Sequence, residues 1–268
     1  MNAPALLAQT YGCRLFHRYS VILEQEGSAA ALMRRDYHNW YSQRLDRNME
    51  LLVYGHSGLP MLVFPTAAGR SSDYEDHGMI RQMASKLENG ELQVFCIDGV
   101  DQESWLNQSI QPYARPLRHL AYEGYVLYEV LPLIHGLATS GQLRATGCGF
   151  GGYHALNFAL KHPDVATDCV AMSGCYDLKR YMNGHYDDNV YFNCPVDYVP
   201  NLNDPWFLDR YRTMRIVLAA GDQDRCRDDT SRMAGIFYEK GISHMLDIWT
   251  GGERDDWPLW QRMAVKFF

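Results

Sequence analysis

The 268-residue chain contains 47% hydrophobic and 21% charged residues, enough apolar surface for a sizeable core, which excludes a disordered or fibrous protein. Its net charge of −7 at pH 7 comes without a cluster of Lys and Arg, so that a nucleic-acid backbone or an anionic membrane surface would be repelled. We therefore expect neither nucleic acid nor a membrane as a partner.

Residues 1–36 are interpreted as an N-terminal extension, with a strand candidate at 16–23 and a short helix at 28–35. Beyond them, short apolar runs alternate with helix-length amphipathic runs, which indicates an α/β fold with a mostly parallel sheet and helices on both faces. Strands are predicted at 49–54, 61–64, 93–98, 143–147, 169–173, 216–220 and 245–249. Helices are predicted at 76–88, 117–133, 152–161, 228–240 and 257–268.

Residues 37–268 are predicted to form a single domain, because no internal linker divides them. Within this domain, residues 174–211 are crowded with Asn, Asp, Tyr and Pro, which is typical of an ordered loop excursion over the sheet. Ligands of such sheets bind at the carboxyl ends of the strands, so any pocket is expected under this excursion.

The seven cysteines are scattered, and no C-x-x-C pair suggests a zinc or redox motif. Reduced thiols in a cytosolic protein are the simplest interpretation. Residues 1–10 lack the basic start and apolar run of a signal peptide, and the most apolar segment, 125–138, carries a Glu, a Pro and a His. The prediction is a cytoplasmic protein without a membrane span and without a metal or cofactor.

A glycine-rich turn, Gly147-Cys148-Gly149-Phe150-Gly151-Gly152, joins the strand predicted at 143–147 to the helix predicted at 152–161. Strand, tight turn and helix is the arrangement in which an α/β-hydrolase holds its nucleophile elbow, G-x-S-x-G, which lifts a serine hydroxyl above the sheet. Here Gly149 occupies the serine position. The sequence predicts the architecture of a hydrolase without the attacking atom.

Further segments, in order along the chain, resemble the esterase-D-like branch of the α/β-hydrolases from about residue 37 to the C-terminus. They include Phe64-Pro65-Thr66-Ala67-Ala68-Gly69-Arg70, Phe95-Cys96-Ile97-Asp98, His162-Pro163-Asp164 and Ser173-Gly174-Cys175-Tyr176-Asp177-Leu178. The resemblance implies the α/β-hydrolase fold. In such enzymes a serine attacks a carbonyl, a histidine carries the proton, an acid orients the histidine, and two backbone N–H groups receive the oxyanion.

The resemblance implies that the oxyanion donors are the Phe150 N–H and an N–H of the Thr66-Ala67 loop, which survive any change of side chain. It implies an acid at Asp222 or Asp224, after the strand predicted at 216–220.

The family's histidine should precede Asp256-Trp257-Pro258, where the chain reads Gly251-Gly252-Glu253-Arg254-Asp255. If the family's loop is aligned on Asp256-Trp257-Pro258, Asp255 occupies the histidine position. If it is aligned on Trp249-Thr250-Gly251, Arg254 occupies that position. Neither side chain takes and returns a proton near neutral pH as an imidazole does.

Other reactive residues are interpreted as structural. Cys148 precedes the apex of the turn. It is either a relocated thiol nucleophile or, as we expect, a small hydrophobic residue buried in the core. His154 and His244 are expected to be structural, whereas His185, in the loop excursion, either lies on the surface or reaches a pocket. The carboxylates Asp222, Asp224, Asp255 and Asp256 could converge on a cation, although their spacing matches no known loop.

We expect an esterase-like α/β-hydrolase that has lost its catalytic residues and serves as a binding or self-assembling protein. Residues 1–36 are expected to take part in a homo-oligomer. The expected ligand is a small acyl or anionic group. The alternative is an active carboxylic-ester hydrolase or acyltransferase, either captured as an inactivated variant or using a relocated nucleophile. Two altered positions, Gly149 and Asp255, favour natural loss over a single engineered change.

Overall fold

A computed structural model describes residues 17–23 and 33–268 of the protein. Its strands are β1 (His17–Leu23), β2 (Met33–Ser42), β3 (Arg47–Tyr54), β4 (Leu59–Phe64), β5 (Leu92–Ile97), β6 (Arg144–Cys148), β7 (Asp168–Met172), β8 (Arg215–Gly221) and β9 (Met245–Trp249). They form one sheet in the order β1-β2-β3-β5-β4-β6-β7-β8-β9. The pairs β1–β2, β2–β3 and β3–β5 are antiparallel, and the five remaining pairs are parallel. The predicted α/β-hydrolase fold is confirmed.

The helices are α1 (Asp73–Asp76), α2 (Met79–Gln82), α3 (Ala84–Glu88), α4 (Ala114–Tyr125), α5 (Leu131–Leu137), α6 (Phe150–Lys161), α7 (Asp188–Tyr191), α8 (Pro195–Asn201), α9 (Pro205–Thr213), α10 (Arg227–Glu239) and α11 (Trp257–Phe267). The helix predicted at 76–88 is divided among the first three, and a π turn at Val126–Val130 joins α4 to α5. Among the described residues, no helix combines the length and the hydropathy needed to cross a bilayer.

The sheet separates two apolar layers because successive strand residues point to opposite faces. In β4, Leu62 and Phe64 belong to the layer that packs with α4, α5, α6 and α10. Met61 and Val63 belong to the layer that packs with α1, α2, α3 and α11. Continuous apolar runs in the central strands follow from this burial on both faces.

The N-terminal part adds strands to the antiparallel side of the sheet. The strand predicted at 16–23 corresponds to β1, which pairs with β2. The helix predicted at 28–35 is wrong for residues 33–35, which begin β2, while residues 28–32 lie outside the described residues. Pairing with β3 on one side and β1 on the other decides the conformation here, because ladder hydrogen bonds override a weak helix propensity. The division at residue 37 stays a prediction, and β2 runs across it.

The predicted loop excursion at 174–211 is ordered by short helices with side-chain caps. Asp187 accepts a hydrogen bond from the Val190 N–H at 2.9 Å at the start of α7, and Asp204 accepts one from the Trp206 N–H at 2.8 Å at the start of α9. These caps satisfy backbone donors that a short helix leaves unpaired. The Asn- and Asp-rich composition of the segment therefore serves helix initiation.

A buried cation ties the excursion to the main domain. Arg115, at the start of α4, is 1% exposed. Its guanidinium donates to the carbonyl oxygen of Tyr181, to Oε1 of Gln108 at 3.2 Å and to the carbonyl oxygen of Ile110 at 3.5 Å. These partners are neutral oxygens, so the hydrogen bonds themselves must offset the desolvation of the charge.

We predict that Arg115→Ala lowers the free energy of unfolding by about 2–4 kcal/mol, because three acceptors lose their donor in a buried site. Urea unfolding would measure the change. Arg212→Ala is the matched control, since Arg212 is half-exposed and pairs only with Asp209 on its own helix, and should cost no more than about 0.5 kcal/mol. Equal effects of the two substitutions would contradict the assignment of Arg115 as an anchor.

Candidate functional site

The glycine-rich turn lies where β6 ends and α6 begins, at the carboxyl edge of the sheet. Gly149 has φ 58° and ψ −121°, in the left-handed half of backbone space that only glycine enters at little cost. Its N–H donates to the carbonyl oxygen of Met172 in β7 at 2.9 Å, and its own carbonyl accepts from the Gly152 N–H at 3.0 Å. The turn is therefore the sharp strand-to-helix connection that a nucleophile elbow requires.

Three of the glycines are required by close backbone packing. A Cβ on Gly151 would lie 2.3 Å from the carbonyl oxygen of Phe64, one on Gly152 would lie 2.7 Å from that of Met172, and one on Gly147 would lie 2.4 Å from Gly151. Any side chain at these positions would displace backbone. They press the first turn of α6 against β4 and β7.

Gly149 differs from its neighbours in the turn. A Cβ there would meet only the ring of Trp260, at 3.8 and 3.9 Å, which is ordinary van der Waals contact. Gly149 is also partly exposed to solvent. The position that holds the attacking side chain in a hydrolase therefore has room for one, although the positive φ would strain it.

The Cys148 side chain lies on the face of the sheet opposite to α6. It is fully buried in the layer that packs with α1, α2, α3 and α11, and its Sγ lies 3.3 Å from the hydroxyl oxygen of Tyr74. Burial raises the pKa of the Cys148 thiol. A buried thiol with a raised pKa cannot serve as a nucleophile at the turn, which supports its interpretation as a small core residue.

The N–H groups of Phe150 and Ala67 are the predicted oxyanion donors. Within the described part of the chain, neither the Phe150 N–H nor the Ala67 N–H donates to a protein acceptor. The loop that carries Ala67 is shaped by Thr66, whose Oγ1 donates to Asp73 at 2.8 Å and whose carbonyl accepts from the Gly69 N–H at 2.9 Å. Two free donors therefore remain where β4 and α6 meet.

The two candidate acids have different surroundings. Asp222 accepts hydrogen bonds from the N–H groups of Gly251 at 3.0 Å, Gly252 at 3.0 Å and Glu253 at 2.8 Å, and these bonds lower its pKa. Its carboxylate is thus used to order the closing loop.

Asp224 is 7% exposed, and its Oδ1 accepts from the Cys226 N–H at 2.7 Å. Burial, together with the nearby charge of Asp255, raises the pKa of Asp224, and Ser173 is a further neighbour of its carboxyl group. Of the two acids that the sequence left open, Asp224 is the one buried beside the position of the expected histidine.

The position expected for the histidine holds a carboxylate in an ion pair. Asp255 accepts hydrogen bonds from the guanidinium of Arg225, with Nε at 2.8 Å and Nη2 at 2.5 Å from its Oδ2. Arg254 is exposed, so it is Asp255 that faces Asp224. Arg225 itself is 85% exposed. The position therefore holds an ion pair in place of an imidazole.

Trp260 covers the turn, which the sequence did not indicate. Its indole Nε1 donates to Oγ of Ser173 at 2.8 Å, and its ring lies against Gly149. Ser173 has φ 57° and no exposed surface. Trp257 packs edge-on against Trp260, with ring centroids 5.0 Å apart. The only signal in the sequence is the i, i+3 spacing of these two tryptophans, which places them on one face of α11.

The three histidines considered as candidates are all engaged in contacts within the protein. Nε2 of His154 lies 2.8 Å from Oδ1 of Asp101 in a buried pair, and Nδ1 of His244 lies 2.9 Å from the carbonyl oxygen of Ile242. His185 pairs with Asp187 at 3.2 Å and lines an open cavity of about 260 Å³. In that cavity, Lys179 and the hydroxyl of Tyr186 both bind Asp197, so its polar groups satisfy one another.

The four carboxylates weighed as a cation site do not converge. Asp222 binds loop N–H groups and Asp255 binds Arg225, while Asp256 caps α11 by accepting from the Leu259 N–H at 3.0 Å. Over residues 17–23 and 33–268, no group of three or more His, Cys, Asp or Glu side chains is placed to hold a metal ion.

The expectation that all thiols are reduced is wrong. Cys175 and Cys226 form a disulfide, with their Cα atoms 5.0 Å apart. They are 51 residues apart in sequence, and they meet because β7 and β8 are neighbours and both cysteines follow the carboxyl ends of those strands. Spacing alone does not reveal such a pair. Among the residues that the structure describes, four other cysteines are free and buried: Cys96, Cys148, Cys169 and Cys194.

The profile of a family described as "Putative esterase" matches residues 42–241, which is more than half of the chain. The chain belongs to this esterase family. The match spans the glycine turn and the acid loop, and it ends before the closing loop that carries Asp255. No curated protein matches the esterase-family chain.

Solved structures resemble the esterase-family chain over nearly their whole length. A ferulic acid esterase has a TM-score of 0.71 at 16% identity, covering 88% of this chain and 96% of its own. An S-formylglutathione hydrolase from Agrobacterium tumefaciens has a TM-score of 0.68 at 17% identity, covering 91% of this chain and 96% of its own. One from Staphylococcus aureus has a TM-score of 0.63 at 16% identity, with 94% and 96% covered. At these identities the likeness shows the fold.

Because the two acids have pKa values shifted in opposite directions, their substitution should change the free energy of unfolding in opposite directions. The pKa of Asp224 is raised in the folded protein, so its ionisation at pH 7 opposes folding; the pKa of Asp222 is lowered, so its ionisation favours folding above the pKa of the unfolded chain. We predict that Asp224→Asn raises the free energy of unfolding at pH 7 and that Asp222→Asn lowers it.

The effect of Asp224→Asn should shrink as the pH falls from the raised pKa of the folded protein toward about 4, the ordinary pKa of aspartate, because the folded protein takes up the proton first. The effect of Asp222→Asn should persist down to about pH 4 and shrink below it, because the unfolded chain takes up the proton first. Urea unfolding between about pH 2.5 and 7 measures both. Asp164→Asn, at an exposed carboxylate, is the control and should stay within about 0.5 kcal/mol of the parent protein. Destabilisation by Asp224→Asn at pH 7 would contradict the assignment.

Proposed function

We propose that this member of the esterase family has lost serine-esterase chemistry and acts as a binding protein. The observation that carries the proposal is the state of Gly149. The backbone keeps φ 58° at the apex of the elbow and the space above it admits a side chain, yet no nucleophilic atom is there. An acyl-enzyme needs that atom, because its formation begins with attack on the carbonyl carbon.

The missing proton carrier supports the same proposal. In an active triad an imidazole lies between the nucleophile and the buried acid, and it accepts and returns one proton in each half-reaction. Here the buried acid, Asp224, has Asp255 as its neighbour, and Asp255 is held by Arg225. A carboxylate and a guanidinium lack the paired ring nitrogens with which an imidazole accepts a proton and returns it. Neither can therefore activate water or a hydroxyl as the imidazole does.

The retained backbone suggests the ligand. The N–H groups of Phe150 and Ala67 are free of protein acceptors, and the first turn of α6 adds the positive end of its dipole. Such a place favours a carbonyl oxygen or an anionic group. Gly149 keeps some exposure beneath Trp260. We propose a small acyl or anionic ligand, bound at the former oxyanion site and not cleaved.

Self-assembly through the N-terminal extension is part of the proposal. In the described residues β1 is the outermost strand on its side of the sheet, so its outer edge is available to another chain. We propose a homo-oligomer in which residues 1–36 take part. The cytoplasmic location stays a prediction. The Cys175–Cys226 bond argues against it, because stable disulfides are rare in that compartment.

The catalytic part of the proposal predicts that the purified chain does not hydrolyse short-chain nitrophenyl esters and is not labelled by a fluorophosphonate. The double variant Gly149→Ser with Asp255→His should be labelled and should hydrolyse the ester, since serine and imidazole return to an intact backbone. Mutational precedent puts hydrolysis without triad members at only about 10³–10⁴-fold over water. Steady-state kinetics with the two probes measures both results.

Two single variants serve as controls. Gly149→Ala adds a Cβ at the same positive φ without a hydroxyl, so it should match the stability of Gly149→Ser, each about 1–2 kcal/mol below the parent, and should remain unlabelled. Asp255→His alone should also stay inactive. Hydrolysis by the unaltered chain that a serine- or cysteine-directed reagent stops would overturn the proposal in favour of an active esterase.

The assembly part is tested separately. Removal of residues 1–36 also removes part of β2, so the sharper variant deletes residues 1–23 and leaves β2 intact. Light scattering should show the mass of the full chain falling to that of one protomer in the deleted form. An unchanged number of protomers, with an unchanged circular dichroism spectrum, would overturn the assembly proposal and leave the catalytic one standing.

A further inference from the structure

The Cys175–Cys226 bond joins the two loops on which the candidate site rests. Cys175 lies two residues after Ser173 at the end of β7, and Cys226 lies two residues after Asp224 at the end of β8. Neither the elbow nor the lost triad accounts for this bond. It is a covalent connection across the carboxyl edge of two neighbouring parallel strands.

The bond holds the loop that carries Asp224. The Cys226 N–H is the donor to Oδ1 of Asp224 at 2.7 Å, and Cys226 directly precedes α10. Movement of Cys226 therefore moves an N–H that donates to the Asp224 carboxylate. The closed bond therefore restrains Cys226 and, through this hydrogen bond, the Asp224 carboxylate.

Noncovalent contacts cross the same junction, so an open bond would not release the fold. Oγ1 of Thr230 donates to the carbonyl oxygen of Gly174 at 3.3 Å. Arg180 pairs with Asp229, and Arg232 pairs with Asp177 at 3.1 Å. These contacts keep the two cysteines close after reduction, which favours rapid closure of the bond.

The two bonded cysteines are also the most accessible ones in the described residues. Each is 8% exposed, whereas the four free cysteines are 0–2% exposed. Nη1 of Arg180 lies 3.9 Å from Sγ of Cys175. A neighbouring cation stabilises a thiolate, so Cys175 is the better leaving group of the pair.

We propose that Cys175–Cys226 is a reversible redox latch, opened by a dithiol reductant, that fixes the Asp224 loop when closed and loosens it when open. This proposal does not depend on whether the chain hydrolyses esters. One thiolate of the reductant attacks Sγ of Cys226, forms a mixed disulfide there and expels the Cys175 thiolate. The second thiol then attacks the reductant's own sulfur in the mixed disulfide and releases Cys226. Two electrons pass to the protein, the reductant leaves as its cyclic disulfide, and its two protons end on the two cysteines.

The test begins with the native, air-purified protein. Mass spectrometry should find the two cysteine-containing peptides linked, and dithiothreitol without denaturant should yield two alkylatable thiols that re-form the bond on its removal. Amide hydrogen exchange in residues 222–228 should be faster in the reduced protein by about tenfold or more, while exchange in β6 and β7 stays unchanged.

Variants separate the latch from a purely structural bond. Cys175→Ser with Cys226→Ser should show the fast exchange without reductant and no response to it, and Cys194→Ser is the matched control at a buried free thiol. Arg180→Met should slow reduction by about threefold, because Cys175 becomes a poorer leaving group, and Arg212→Met should not. Free thiols at both Cys175 and Cys226 in the purified protein, reduction only in denaturant, or equal exchange in both redox states would each overturn the proposal. If the double variant fails to fold, the comparison of oxidised and reduced parent protein still decides.

Discussion

The candidate site depends on backbone packed directly on backbone at the start of α6. Gly151 approaches the carbonyl oxygen of Phe64 and Gly152 approaches that of Met172 too closely for any Cβ to intervene. This contact fixes the first turn of the helix against two strands of the sheet. It therefore brings the Phe150 N–H beside the β4 loop whatever side chain stands at the apex. The fold of the elbow is independent of the nucleophile.

Much of this could be predicted from the sequence because its physical cause is local. The central strands are buried on both faces, so their apolar runs identify them, and the glycines of the turn stand where backbones touch. The α/β-hydrolase fold followed from the order of these segments. In contrast, β2 could not be predicted, because its conformation comes from pairing with β1 and β3 rather than from its own residues.

The acid side of the site could be predicted only in part, because its details depend on long-range partners. Asp222 and Asp224 are two residues apart and alike in sequence, and only the closing loop, which supplies three N–H donors to Asp222, separates their roles. The pairing of Asp255 with Arg225 joins residues 30 apart. The disulfide likewise reflects which strands are neighbours in the sheet. No periodicity in the chain encodes such contacts.

The interactions around the turn explain how its loops are ordered with glycine at the apex. Asp222 holds the closing loop, Trp260 covers Gly149 and binds Ser173, and Arg225 neutralises Asp255. A catalytic imidazole needs an open neighbour and a pKa near 7, whereas an ion pair with arginine needs neither. These contacts therefore order the loops around Gly149 without requiring a serine or a histidine among them.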